Sequence, residues 1–314
     1  DVSAIFNEVV SHVGLPPELL QLNLQGRLLR HLHDQGIRFD AFYYPFEGNA
    51  PEKPFILNCR RYYPEAKVIG FQHTTFFPNQ LSHHLAIEER GIHPLPDRLI
   101  CSGPIYAKLH IETGFPEEII QTGPNLRFGS VHQESNPETP PEGLMDGQKQ
   151  NLILPLTYSY DLAFELFCKV LQALKGEEEY EVYIRTHPLL SRQKLVTFLE
   201  TIGFHNYSFA DTGAFSDWLP WMTAVLTTCA SMTVLEAVTK GIPVIRVVPD
   251  NTILLDPFVW PTYPFKPVNL PSEIKMQLGH IESMAKSDPD RFVDIAQQVR
   301  PQYFTEPTDE NLSC

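Results

Sequence analysis

Between residues 151 and 248, short apolar runs alternate with stretches of helical period. That alternation restricts the fold more than any other feature of the chain. Asn151–Thr157 (NLILPLT), Glu181–Arg185 (EVYIR), Tyr207–Ala210, Ala224–Thr228 (AVLTT) and Pro243–Val248 (PVIRVV) read as buried strands. Asp161–Lys175 carries Leu162, Phe164, Leu166, Phe167, Val170, Leu171 and Leu174 at helical spacing. Gln193–Ile202 is amphipathic, Ser216–Met222 is a short helix, and Ser231–Lys240 is a helix ended by Gly241, a residue suited to the left-handed position after a helix. Strands alternating with such helices mean βαβ units and a parallel sheet with both faces covered.

The first half has the same grammar, less cleanly. Gln21–Gln35, Pro51–Tyr63 and Ile105–Thr113 read as helices, and Phe39–Tyr44, Lys67–Gln72, Arg98–Ser102 and Ile119–Thr122 as strands. Gly129–Gln150 is rich in Pro, Glu, Ser and Gly without apolar period, the composition of an interdomain linker. A last helix is expected from Pro289 to about Val299, with Asp288 as N-cap and Pro289 at N1. The expected fold class is therefore α/β, with two Rossmann-like domains facing across a cleft. Residues 1–128 form an N-terminal domain, 129–150 a linker and 151–314 a C-terminal domain. Ligands of such sheets sit outside the carboxyl ends of the strands.

Composition narrows the partners. A formal net charge of −14 argues against affinity built on neutralising nucleic-acid phosphates. No apolar run reaches the ~18 residues of a membrane span. Five scattered cysteines without a C-x-x-C pair read as reduced thiols of a cytosolic protein.

Four strand-end loops carry residues capable of chemistry. Glu47, after the FDAFYY run and between Pro45 and Gly48, could act as a general base or simply be a loop carboxylate near a helix start. His73, at the end of KVIGFQ, could donate to substrate oxygens or carry a proton, or be a loop histidine satisfied by backbone. His187, held at a loop mouth by Pro188, could bond a phosphate oxygen, with Arg185 adding charge if it faces that way. Ser231 and Thr233 stand where a strand passes into a helix, a setting that favours anions. The structural alternative there is a capping box between Thr233 and Glu236.

Several chemistries are not supported. The chain has no G-x-G-x-x-G, P-loop or G-x-S-x-G motif. His83, His84 and His93 match no zinc spacing, and Asp288-Pro289-Asp290 is explained as a helix start, so no metal and no cofactor are expected.

At these residues the sequence resembles bacterial GT-B glycosyltransferases of the HP-motif kind, which act in capsule and surface-carbohydrate synthesis and include polysialyltransferases and CMP-Kdo transferases. YIRTHP followed by TTCASMTVLEAVTKGIPVI carries the resemblance, with PFEGNAPEKP, KVIGFQHT and PDRLICSG in the first half. The resemblance implies a metal-independent transferase that moves a sugar from a nucleotide donor, a CMP-sugar by preference, to a glycan or glycolipid acceptor. It implies that His187, Ser231 and Thr233 hold the donor phosphate, with Arg185 and Pro188 among the donor-binding residues, that Glu236 reaches the ribose, and that Glu47 is the base with His73 in support. It also implies a cytoplasmic protein, free or at the inner face of the inner membrane. The region before Phe39 lacks the family's first βα unit, so the N-terminal domain is smaller than usual or the fragment starts late. Alternatives are a sugar-nucleotide epimerase, a CDP-polyol phosphotransferase and a non-catalytic carbohydrate-binding subunit.

Overall fold

The computed structural model describes residues 17–125, 129–132, 139–144, 149–228, 231–250, 253, 255–258 and 263–308. The first sixteen residues, much of the expected linker, Cys229, Ala230 and Cys314 lie outside the described residues. The chain divides into two units. One comprises Asp1–Thr74, Leu81–Ser102 and Tyr106–Gly123, the other Thr75–Gln80, Gly103–Ile105 and Pro124–Cys314.

The first unit is built on four parallel strands in the order β1-β2-β3-β4: Ala41–Phe46, Lys67–Gln72, Arg98–Cys101 and Ile120–Thr122. Its helices are α1 (Pro17–Asp34), α2 (Glu52–Tyr62) and most of α3 (Pro104–Glu112). Tyr44 and Phe46 of β1 are buried together with Ile56 and Cys59 of α2, which follows the period-2 alternation of a strand against a helix face. β1 runs two residues further than the sequence suggests, and Pro45 lies inside it, level with Phe71. Proline is tolerated because, among the described residues, β1 is the edge strand of this sheet and needs no donor on its open side. The strand therefore ends at Phe46, immediately before Glu47.

The second unit holds five parallel strands in the order β7-β6-β5-β8-β9. They are β5 (Gln150–Pro155), β6 (Tyr180–Arg185), β7 (Tyr207–Phe209), β8 (Ala224–Thr228) and β9 (Val244–Val247). The connecting helices are α4 (Tyr160–Ala173), α5 (Arg192–Thr201), the short α6 (Phe215–Trp218) and α7 (Thr233–Thr239). Leu152, Ile153, Leu154, Val225 and Leu226 are fully buried, so the middle of this sheet is the core of the unit. From β5 the chain builds outward through β6 and β7, then returns to β8 on the other side. The strand order therefore reverses between β5 and β8, and the crevice at that reversal is where such sheets bind ligands.

Two helices follow, α8 (Pro271–Ser287) and α9 (Arg291–Tyr303). The expected helix start at Asp288 and Pro289 is corrected. Asp288 ends α8, its N–H donating to the Met284 carbonyl at 2.8 Å, and Asp290 is the N-cap of α9. Among the described residues no helix is long and apolar enough to cross a membrane.

Candidate functional site

The sequence-predicted residues fall into two groups, one in each unit. In the first unit, β1 and β2 pair in parallel up to Phe46 and Gln72, so Glu47 and His73 leave neighbouring strands at one level. The His73 N–H continues the ladder to the Phe46 carbonyl at 3.1 Å, and its Nε2 stands 3.8 Å from Glu47 Oε1. Both side chains are partly exposed.

Glu47 is held on every side. Its Oε2 accepts the Asn49 side-chain amide at 2.8 Å. Its backbone N–H and that of Asn49 donate to Glu52 Oε1, at 3.0 and 2.8 Å. Burial pushes the Glu52 carboxyl up, and the amides of residues 47–49 pull it back. The Glu47 carbonyl lies 2.9 Å from His83 Nε2. A carbonyl only accepts, so that nitrogen carries the proton. Burial holds the His83 imidazole down to about 4, so at neutral pH it is an uncharged donor. Phe46 packs edge-on against His83, His110 and Phe115, which fixes the point from which the loop departs. Gly48 takes φ +71°, and a Cβ there would stand 2.9 Å from the Ser82 carbonyl oxygen, so only glycine closes this turn against residues 82–83.

In the second unit, the loops after β6 and β8 leave the same sheet edge on either side of β5. His187 Nδ1 accepts the Leu189 N–H at 3.2 Å. In the neutral ring the proton is then on Nε2, which is available as a donor. Pro188 is exposed beside it, and the ring of Tyr158 meets the imidazole edge-on at 6.4 Å. Arg185 is engaged elsewhere. Its guanidinium donates to the carbonyls of Ala210, Thr212 and Gly213 at 2.6–2.9 Å and so fixes the loop after β7.

At the other side of β5, the Ser231 and Thr233 hydroxyls lie 2.6 Å apart, and Ser231 Oγ accepts the Thr233 N–H at 3.4 Å. Thr233 is already the first residue of α7, with Met232 at the N-cap, so it does not cap the helix as the T-x-x-E spacing suggested. Glu236 is half-buried in the first turn of α7. Burial raises its carboxyl, and the charges of Lys240 and Arg185 oppose that rise. Gly241, at φ +79°, follows the helix as expected.

Asn49, Glu52 and His83 were not legible as site residues. Among the described residues, no three His, Cys, Asp or Glu side chains gather as a metal site would require.

No protein-family model matches the chain, and no curated protein does. Solved structures are similar in fold. HepE of Anabaena in complex with UDP aligns with a TM-score of 0.58 and 12% identity over 92% of this chain and 80% of that one. S. aureus MnaA with UDP gives 0.56 and 10%, over 90% and 75%. UDP-GlcNAc 2-epimerase from Neisseria meningitidis bound to UDP-GlcNAc gives 0.55 and 11%, over 92% and 80%. At such identities the likeness is one of fold, and this chain has the GT-B type of α/β fold, two parallel-sheet units in one polypeptide.

Proposed function

We propose that the protein is a glycosyltransferase that moves a sugar from a nucleotide-activated donor, a CMP-sugar by preference, to a surface-carbohydrate acceptor. The observation that supports the reading is the sheet edge at the β5–β8 reversal, where a histidine with a proton on Nε2 follows β6 and a hydroxyl-bearing helix start follows β8, on either side of β5. The leaving group is a nucleoside phosphate, and catalysis asks mainly that its developing charge be met. His187 Nε2–H and the Ser231 and Thr233 hydroxyls would meet it. Arg185 would hold the neighbouring loop in place, Pro188 would fix the histidine's loop, and Glu236 would accept from the donor ribose. Glu47 would take the acceptor hydroxyl's proton as that oxygen attacks the anomeric carbon, through the carboxylate oxygen that faces His73. No metal or cofactor is invoked. The acceptor class agrees with a cytoplasmic protein working free or at the inner face of the inner membrane.

A second reading is favoured by the epimerase among the similar structures: a sugar-nucleotide epimerase, in which a carboxylate deprotonates the bound sugar. The two differ in their need for an acceptor. Incubation of the protein with CMP- and UDP-sugars, with and without a glycan acceptor, separates them. Release of free nucleotide that requires the acceptor is expected. Conversion of a nucleotide sugar to its epimer without acceptor would replace the transferase with the epimerase.

A further inference from the structure

We infer that the ring of Tyr158 is the surface on which the transferred sugar of the donor lies, which makes Tyr158 a residue that selects the donor by its sugar; the inference rests on the donor-site reading above. Tyr158 is 71% exposed. Among the described residues of the second unit, no other phenylalanine, tyrosine or tryptophan is exposed. Tyr183 and Trp218 show the usual use of such rings and are fully buried. A single exposed apolar side chain needs no explanation by itself. The place of Tyr158 and the way it is held do.

β5 lies between β6 and β8, so the loop that carries Tyr158 leaves the sheet between the His187 loop and the loop that leads to α7. That loop is short and held at both ends. The Leu156 N–H still donates to the Arg185 carbonyl at 3.0 Å, and Ser159 Oγ caps α4 by accepting the Leu162 N–H at 3.5 Å. Tyr160 Oη accepts the Ser191 N–H at 2.6 Å, which ties the start of α4 to the N-cap of α5. The loops after β5 and β6 are thus fastened together, and the Tyr158 ring stands at 6.4 Å from the imidazole of His187. Leu189, whose N–H donates to that imidazole, is 75% exposed. The histidine assigned to the phosphate is therefore accompanied by two apolar surfaces open to a ligand.

The phosphate of a nucleotide sugar joins the nucleoside on one side to the sugar on the other. With Glu236 of α7 on the ribose, the nucleoside lies toward β8, and the group on the β6 side of the phosphate is the sugar. A pyranose has a face of C–H groups that can lie on an aromatic ring, and hydroxyls around its edge. Tyrosine suits both, because its body is apolar and its tip donates and accepts hydrogen bonds.

Calorimetric titration of the wild type, Tyr158→Ala and Tyr158→Phe with CMP, UDP, CMP-N-acetylneuraminate and UDP-N-acetylglucosamine tests this. The wild type is expected to bind one of the two nucleotide sugars more tightly than the matching free nucleotide. Tyr158→Ala is expected to bind that nucleotide sugar about tenfold more weakly, the order of an aromatic contact, and the free nucleotide within about twofold of the wild type. Tyr158→Phe keeps the ring and is expected to keep most of the affinity for the nucleotide sugar. The side chain is exposed, so both variants should melt with the wild type. Equal weakening of nucleotide and nucleotide sugar in Tyr158→Ala would overturn the inference, since the ring would then serve the nucleoside or His187. Unchanged affinity in Tyr158→Ala would also overturn it, and so would a Tyr158→Phe variant as weak as Tyr158→Ala, or a wild type that gains nothing from the sugar. A Tyr158→Ala variant that melts well below the wild type would make the ring structural and overturn it too. Each of these results leaves the phosphate site standing. Absence of any binding by the wild type would overturn the donor reading and the role of Tyr158 with it.

Discussion

Glu47→Gln is expected to lower sugar transfer by about 10²–10⁴-fold, the usual worth of a general base, while nucleotide affinity stays at the wild-type value. The amide keeps the shape of the side chain and can still accept from Asn49, but it cannot take a proton. The neighbours that hold Glu47 also remain: Glu52 on the backbone N–H, His83 on the carbonyl and His73 at 3.8 Å. A fall in kcat without a fall in stability is therefore the expected pattern. His73 is the rival base, since its imidazole shares the strand-end level with Glu47. Near-normal turnover in Glu47→Gln combined with loss in His73→Ala would transfer the role to the histidine. Full activity in both variants would remove the base from this loop altogether.

Acid is expected to loosen the first unit well before carboxylates titrate. Burial holds His83 down to about 4 and His110 down to about 3, against about 6.5 in an unfolded chain. The two rings lie 5.3 Å apart, so a charge on either opposes a charge on the other. Between these values the unfolded state binds protons that the native state refuses. The stability involved is thus complete above pH 6.5 and lost as pH falls below it. From pH 7.5 to 5.5 the loss is about 1.4 kcal/mol per histidine, or ~3 kcal/mol for the pair. Hydrogen exchange of the β1 and β2 amides, corrected for intrinsic rates, measures it within this unit. His83→Gln, whose amide can still donate to the Glu47 carbonyl, should remove about half of the slope. An opening free energy that does not change over this pH range would mean that the histidines are not buried as described.

The fold of the second unit was legible because its strands are buried on both faces and so are written as unbroken apolar runs. Ala224–Thr228 was delimited to the residue for that reason. β1 was harder. Pro45 reads as a turn in isolation, and only the position of the strand at a sheet edge makes it admissible. α8 was missed although its signals are present: Pro271 at the first position, Glu273 accepting the Asn269 and Leu270 N–H groups, and Ile274, Leu278 and Ile281 buried at helical spacing. The aspartates at 288 and 290 drew the boundary to the wrong side of the break between α8 and α9.

Strand ends followed by polar residues brought out Glu47, His73, His187 and Ser231 from the sequence. What surrounds them did not come out. His83 reaches Glu47 across 36 residues of chain, and its spacing to His84 and His93 invited only the question of metal. Arg185 was read as charge for a phosphate, yet its donors are engaged by three carbonyls of a loop whose path no local pattern reveals.

In the proposed mechanism the His187 loop and the start of α7 together bind a nucleotide phosphate. Calorimetric titration of the wild type and His187→Ala with CMP, CDP, UDP and GDP measures this binding. The side chain is half-exposed and its hydrogen bond is local, to Leu189, so the variant should fold like the wild type. Saturable binding of at least one nucleotide by the wild type is expected, with a loss of about tenfold or more in the variant, the worth of a hydrogen bond to a charged oxygen. Equal affinity in the two proteins, or no binding of any of the four nucleotides by the wild type, would contradict it.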